Sequence, residues 1–299
     1  MGAADAAEAA DAASGEAPRE RHFLLTVAYD GGEFHGWQRQ REGTTVQGTI
    51  EQLLERVLCQ PVVLRGAGRT DAGVHAIGQL AGFDAVTRLA ARDVRRALNA
   101  LLPESVRIVA AVEHGRSIDP RREAWRKTYV YQLHLGDFLP PDRRRTFVHA
   151  GLALDLAAMR RAAALLAGVH DFTSFARAEA TRRGAVRRLD AIRVLRVASG
   201  VRLFFTGSGF LYNMVRTLAA ALLEVGRGRA APEAIATMLA ARDRARAPAT
   251  LPPQGLHLWR VDLRTRNDDL PSARRCGAEV CEATAAPERT PAAPPLGVP

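Results

Sequence analysis

The stretch of this sequence best suited to chemistry is Gly66-Ala67-Gly68-Arg69-Thr70-Asp71-Ala72-Gly73-Val74-His75-Ala76. Glycines let a backbone turn tightly and come close to a ligand, and here they surround one Arg, one Thr and one Asp. The pattern lacks the Gly-Lys-Ser/Thr ending of a phosphate-cradling loop. It also lacks the helix that opens on the last glycine of a dinucleotide loop. A glycosidase would need a second carboxylate near the first, and Asp71 is the loop's only acid. The residues alone leave two readings open: a carboxylate presented for chemistry, or a tight turn in which Asp71 hydrogen-bonds to its own backbone.

Such a loop must be held by the elements around it. Val62 to Arg65 predicts a short strand entering it, and Ile77 to Phe83 a strand leaving it. Upstream, Phe23 to Tyr29 is β-prone and closes on the turn Asp30-Gly31-Gly32. Val46, Ile50, Leu53, Leu54, Val57 and Leu58 fall at helical spacing, with Cys59 placed in the same helix. A second helix follows over Val94 to Leu102, stopped at Pro103, and then a strand from Val106 to Val112. Lys127 to Leu135 reads as a strand with Tyr129 and Tyr131 on one face, more often a sign of core packing than of a site. Leu156 to Leu166 is predicted helical with Asp155 as N-cap. Ile192 to Val197 and Arg202 to Thr206 read as paired strands around Ser199-Gly200. A helix is expected from Phe210 to Val225, ended by Gly226. A short helix at Ala234 to Leu239 and a strand from Leu256 to Leu263 close the body.

Composition bounds the rest. No run approaches the roughly 18 apolar residues of a membrane span, and Met1 to Glu20 lacks the basic start and apolar stretch of a signal peptide. A soluble, cytoplasmic protein is expected. Three cysteines, Cys59, Cys276 and Cys281, with no second Cys or His pair nearby, argue against a disulfide framework and a structural zinc site. Residues 1–20 hold five acids against one Arg, and residues 265–299 five acids against four Arg, so 21–264 carries +15 although the whole chain carries +10. A segment this basic suggests a polyanionic partner, because cationic side chains displace counterions from phosphate. Arg182-Arg183-Gly184-Ala185-Val186-Arg187-Arg188 reads as a loop near phosphates and Arg143-Arg144-Arg145 as a weaker candidate of the same kind, though such runs are usually just solvated. Residues 1–20 and 265–299 have too little apolar content to order, so both are expected to be disordered tails. Between them, strands mixed with helices in two similar halves, 21–116 and 117–264, predict an α+β fold.

Gly68-Arg69-Thr70-Asp71-Ala72-Gly73-Val74-His75-Ala76 resembles the signature of the bacterial tRNA pseudouridine synthase A family. The likeness runs through about residues 23–263. Val27-Ala28-Tyr29-Asp30-Gly31 with Phe34-His35-Gly36-Trp37-Gln38 resembles the family's first strand and turn, and Lys127-Thr128-Tyr129-Val130-Tyr131 the strand bearing its base-stacking tyrosine. His170-Asp171-Phe172-Thr173-Ser174-Phe175, Gly209-Phe210-Leu211-Tyr212-Asn213-Met214-Val215-Arg216 and Gly255-Leu256-His257-Leu258 resemble three later blocks. One block departs: where the family usually has Phe-His-Ala-Arg-Phe, this chain has Ile118-Asp119-Pro120-Arg121-Arg122.

The resemblance implies two related subdomains, 21–116 with the nucleophile loop and 117–264, sharing a mostly antiparallel sheet with the active-site cleft between them. It implies isomerisation of uridine to pseudouridine at positions 38, 39 and 40 of the tRNA anticodon stem-loop, by a homodimer. That reaction needs no redox step or group donor, so no cofactor and no metal are expected. Asp71 is implied as nucleophile, with Arg216 lowering its pKa and keeping it ionised. Tyr129 is implied to stack on the uracil. Arg69 is then a candidate wedge or phosphate contact holding the base out of its stack, and His75 a structural hydrogen-bonding residue. A non-catalytic RNA-binding protein on the same fold would be expected to have lost Asp71 or Arg216, and both are present.

Overall fold

The computed structural model describes residues 17–182 and 184–264. Its frame is one ten-stranded sheet. The run Phe23 to Val27 is buried at every position, the pattern of a strand covered on both faces. It lies in β1 (Arg19–Tyr29), antiparallel to both β3 (His75–Thr87) and β4 (Val106–His114). A two-residue strand, β2 (Arg65–Gly66), pairs with β3 and delivers the chain into the loop that bears Asp71. In the second half, β5 (Ala124–His134) carries the two-residue β6 (Val148–His149) at one end and pairs along its length with β9 (Gly200–Gly207). Beyond β9 come β8 (Val186–Val197) and the edge strand β7 (Gly168–Asp171). The last strand, β10 (Leu256–Leu263), runs up the middle. The order is β4-β1-β3-β10-β5-β9-β8-β7.

Only two of these pairings are parallel, the short ones between β3 and β10 and between β5 and β6. The sheet is therefore mostly antiparallel. The two halves meet where His257 and Leu258 pair with His75 and Ala76. Helices α1 (Val46–Leu58) and α2 (Ala91–Leu101) belong to the first half, and α3 (Leu156–Leu166), α4 (Met214–Gly226) and α5 (Ala234–Ala241) to the second. In α1, Val46, Ile50, Leu54 and Leu58 form one buried stripe at every fourth position. α4 is buried nearly all round, with only Arg216 and Glu224 partly exposed.

Several expectations need correction. α4 starts at Met214, four residues after the predicted start, because Asn213 sits at φ +65 and breaks the helical path. Gly226 is the last helical residue rather than a left-handed cap; that conformation falls to Gly228 at φ +70. A Cβ on Gly226 would lie 2.6 Å from Met159 Sδ of α3, so the glycine serves close helix packing. Cys59 lies just past α1 at φ +52 and is exposed. β1 begins at Arg19, so Arg19 and Glu20 pair with Thr87 and Val86 and are not tail. Residues 1–16 and 265–299, which hold the rest of the expected tails along with Cys276 and Cys281, lie outside the described residues. Val62 to Leu64 run unpaired into β2, and the short strands β6 and β7 carried no sequence pattern of their own.

Candidate active site

The loop between β2 and β3 is tied down at nearly every residue. Ala67 N–H donates to the Leu80 carbonyl at 2.8 Å, and the Ala67 carbonyl accepts from Lys127 Nζ at 2.7 Å. The Gly68 carbonyl accepts from Gln79 Nε2 at 2.6 Å. Thr70 is held twice, by the Tyr29 hydroxyl on its Oγ1 at 2.8 Å and by Trp37 N–H on its carbonyl at 3.1 Å. The Asp30–Trp37 turn lies flat against the loop because two of its glycines lack a Cβ. One added at Gly31 would collide with the Val74 carbonyl, and one at Gly36, already at φ +95, would come within 2.7 Å of the Thr70 carbonyl. The β3–β10 junction supports the loop from behind. There the His75 and His257 rings stack at 4.6 Å, and His75 Nδ1 accepts from Gly31 N–H at 3.2 Å.

Asp71 is the residue this frame presents. Its Oδ2 lies 3.4 Å from Arg216 Nη1, and both side chains are mostly buried, at 23% and 15% exposure. Arg216 sits in the first turn of α4 and is aimed from three sides. Its Nε donates to the Leu251 carbonyl at 2.7 Å, and its Nη1 also reaches Asn213 Oδ1 at 3.0 Å. The expectation that Arg216 lowers the Asp71 pKa holds for the pair alone and not for the site. Burial pushes the Asp71 carboxyl above its ordinary value, and the charge and hydrogen bond of Arg216 offset only part of that. No side-chain bond from Asp71 to its own turn is present among the described residues. The bond that closes the turn is backbone, Val74 N–H to the Asp71 carbonyl at 3.1 Å.

These groups line a cleft of about 980 Å³ between the two halves of the sheet. Tyr129 forms part of its wall, only 7% exposed and set edge-on to Phe210 at 5.1 Å. Burial, and behind it the Asp71 charge, raise the Tyr129 phenol above its usual range, so it stays protonated. Arg69 also borders the cleft; it is exposed and has no ion-pair partner among the described residues. The departing block keeps its place there as well. Ile118 and Pro120 are buried, Asp119 caps the single helical turn Pro120–Glu123, and Arg121 points to the cleft while Arg122 pairs outside with Asp119. Ile118 is thus the block's aliphatic anchor, and Asp119 its cap.

Two basic runs read differently once folded. Arg145 is engaged with Asp30 at 3.1 Å and Glu33 at 3.0 Å, and Arg143 lies over the Phe147 ring, so of that run only Arg144 stays exposed without an ion pair among the described residues. Val186 to Arg188 belong to β8 and not to a loop, with Arg188 held by Asp190 at 3.0 Å. Sequence reasoning singled out neither Asn213 nor Lys127. Each carries a signal in the sequence: Asn213 stands in the same block as Arg216, and Lys127 is the only lysine in the chain.

A mostly antiparallel α+β sheet with an aspartate–arginine pair in the cleft between its halves defines the class. A family model described as tRNA pseudouridine synthase matches residues 25–121 and 162–263. The chain belongs to the tRNA pseudouridine synthase family, isomerases that act on uridine in tRNA. It is 42% identical over 241 residues to tRNA pseudouridine synthase A of Geobacter sulfurreducens, covering 81% of this chain and 99% of that one. Over 254 residues it is 42% identical to the protein of the same name from Myxococcus xanthus, covering 85% and 94%. The Exiguobacterium relative, also of that name, is 41% identical over 242 residues, covering 81% and 98%.

Proposed function

We propose that this protein converts uridine to pseudouridine at positions 38, 39 and 40 of the tRNA anticodon stem-loop, with Asp71 as nucleophile. The C1′–N1 bond breaks, the uracil turns, and a C1′–C5 bond forms. C5 gives up a proton and N1 gains one, so atoms and charge balance without oxidant or donor. Asp71 forms the transient covalent bond, and Arg216 orients the carboxylate and favours its ionised form. Tyr129 stacks on the uracil, and Arg69 contacts the backbone where the nucleotide leaves its stack. The observation that carries this reading is the Asp71–Arg216 pair at 3.4 Å in a cleft that also holds Tyr129. We extend the reading to a cytoplasmic homodimer with one tRNA touching both subunits; no described helix is long and apolar enough to cross a membrane.

The test uses tRNA transcripts with a single uridine at 38, 39 or 40, followed by nucleoside analysis. Pseudouridine from the parent and none from Asp71→Asn supports the assignment. Conversion by Asp71→Asn at the parent's rate, or release of free uracil, would sink it. Light scattering with and without tRNA tests the dimer.

A further inference from the structure

Lys127 lies two residues before Tyr129 on β5, so the two side chains leave the same face of the strand, and both line the cleft. Its ammonium has three donors, one of which is given to the Ala67 carbonyl at 2.7 Å. Space for it is made by Gly68, where an added Cβ would lie 3.2 Å from Nζ. Nearby acids are already engaged: Asp71 faces Arg216, while Asp119 pairs with Arg122 at 3.4 Å and accepts from Arg121's own amide at 3.0 Å. Among the described residues neither Lys127 nor Arg121 makes an ion pair. Burial and the facing Arg121 charge bring the Lys127 ammonium down to about 8. A half-buried cation beside a second cation, with no counter-ion, is an unfavourable arrangement that an anion would relieve.

Residue type sharpens the point. Every other one of the chain's 42 cationic residues is Arg, a wider planar group matched to paired acceptors, whereas an ammonium is a compact point charge that fits beneath a glycine. We infer that Lys127 and Arg121 form a phosphate-binding subsite that holds one backbone phosphodiester flanking the target uridine beside Asp71. This rests on the proposed function, since it is the RNA substrate that brings the anion. The departing block thereby keeps one function, presenting Arg121.

The experiment pairs protein variants with anticodon stem-loop RNAs bearing one methylphosphonate, which removes a single phosphate charge on either side of the target uridine. Single-turnover rates against enzyme concentration give the half-saturating concentration for the parent, Lys127→Met, Lys127→Arg and Arg121→Met. Loss of a charge-assisted contact weakens binding about tenfold. The expected result is that one methylphosphonate weakens the parent by about that factor and costs Lys127→Met and Arg121→Met nothing further. Penalties that simply add at both phosphates overturn the subsite. Arg121 is exposed and holds no loop backbone, so Arg121→Met decides the matter even if Lys127→Met loosens the loop. A second readout follows from deprotonation: between pH 7 and 9 the parent's affinity should fall and that of Lys127→Arg should not, with Arg69, Arg121, Asp71 and Asp119 common to both. Equal pH dependence in the two proteins counts against Lys127. Failure of the parent to make pseudouridine on unmodified RNA would instead sink the functional reading.

Discussion

Asp71 is under two opposed influences. Burial disfavours its charge while Arg216 favours it, and burial wins. The folded carboxyl therefore titrates above the unfolded one. Between those two values the folded chain holds the extra proton, so stability falls as pH rises through that window and stays lower above it. Asp71→Asn removes the ionised group, so at pH 7 it should melt no lower than the parent, bind tRNA about as well, and make no detectable pseudouridine. A drop of several degrees in its melting temperature would show that the Arg216 contact outweighs desolvation. The same shift places the acid limb of single-turnover activity above the pH at which an exposed Asp loses its charge. Arg216→Lys keeps the charge and loses the fork that reaches Leu251 and Asn213, so it should be impaired without being inactive. For Tyr129, stacking is worth roughly 1–3 kcal/mol per base. Tyr129→Phe should thus retain far more turnover than Tyr129→Leu, and the reverse order would assign the hydroxyl a proton-transfer or hydrogen-bonding role.

Elements hold these residues through close approaches. Gly36→Ala places a methyl within 2.7 Å of the Thr70 carbonyl at a backbone angle that L residues rarely adopt. It should displace the Asp71 loop and reduce turnover more than it reduces stability. Gly226→Ala is the contrasting case. It overpacks Met159, whose flexible chain can partly yield, and should cost about 1 kcal/mol of stability with activity per folded molecule unchanged, as urea unfolding beside a turnover assay would show. The β3–β10 junction has its own pH signature. Burial lowers His75 and brings His257 down to about 3. A histidine with a depressed folded pKa lends stability that is present above its unfolded value and is lost as pH falls towards the folded one. Unfolding free energy should decline between pH 6.5 and 4, at up to about 1.4 kcal/mol per pH unit from His257, with His75 adding in the same direction. His257→Gln should flatten that slope, and an unchanged slope would mean that other groups set the acid sensitivity.

At the scale of the molecule, the last strand of the chain is the middle of the sheet. β10 joins β3 on one side and β5 on the other, so the halves 21–116 and 117–264 are proposed as structural repeats within one cooperative unit. A chain ended after residue 252 should lose the single unfolding transition altogether, whereas independent domains would leave the first half folded. Charge acts at the same scale. With +15 on residues 21–264, tRNA affinity should fall steeply and linearly in log–log form as salt rises, by about one order for each neutralised phosphate per decade of salt. A nearly flat dependence would contradict a phosphate-dominated interface.

Some of this was readable along the chain. α3 was legible end to end, because its apolar spacing and its Asp155 cap, which accepts from Ala158 N–H at 2.8 Å, are local. β10 was legible as a strand for the same reason, and the Asp71 loop as a glycine-rich turn with one acid. Where a strand or a cation goes is not a local property. Nothing in the spacing of Leu256 to Leu263 says that it inserts between the halves, and Asp71 and Arg216 stand 145 positions apart. A family resemblance supplied that pairing; no local spacing of the residues did. The direction of the Asp71 shift was likewise decided by burial, which exists only once the two halves close on the cleft. So too with Gly226, which reads as a helix stop until Met159 is seen packed against it. Sequence determined the elements and the chemistry on offer; the folded sheet determined which charges meet, because desolvation and contact depend on neighbours brought together from distant parts of the chain.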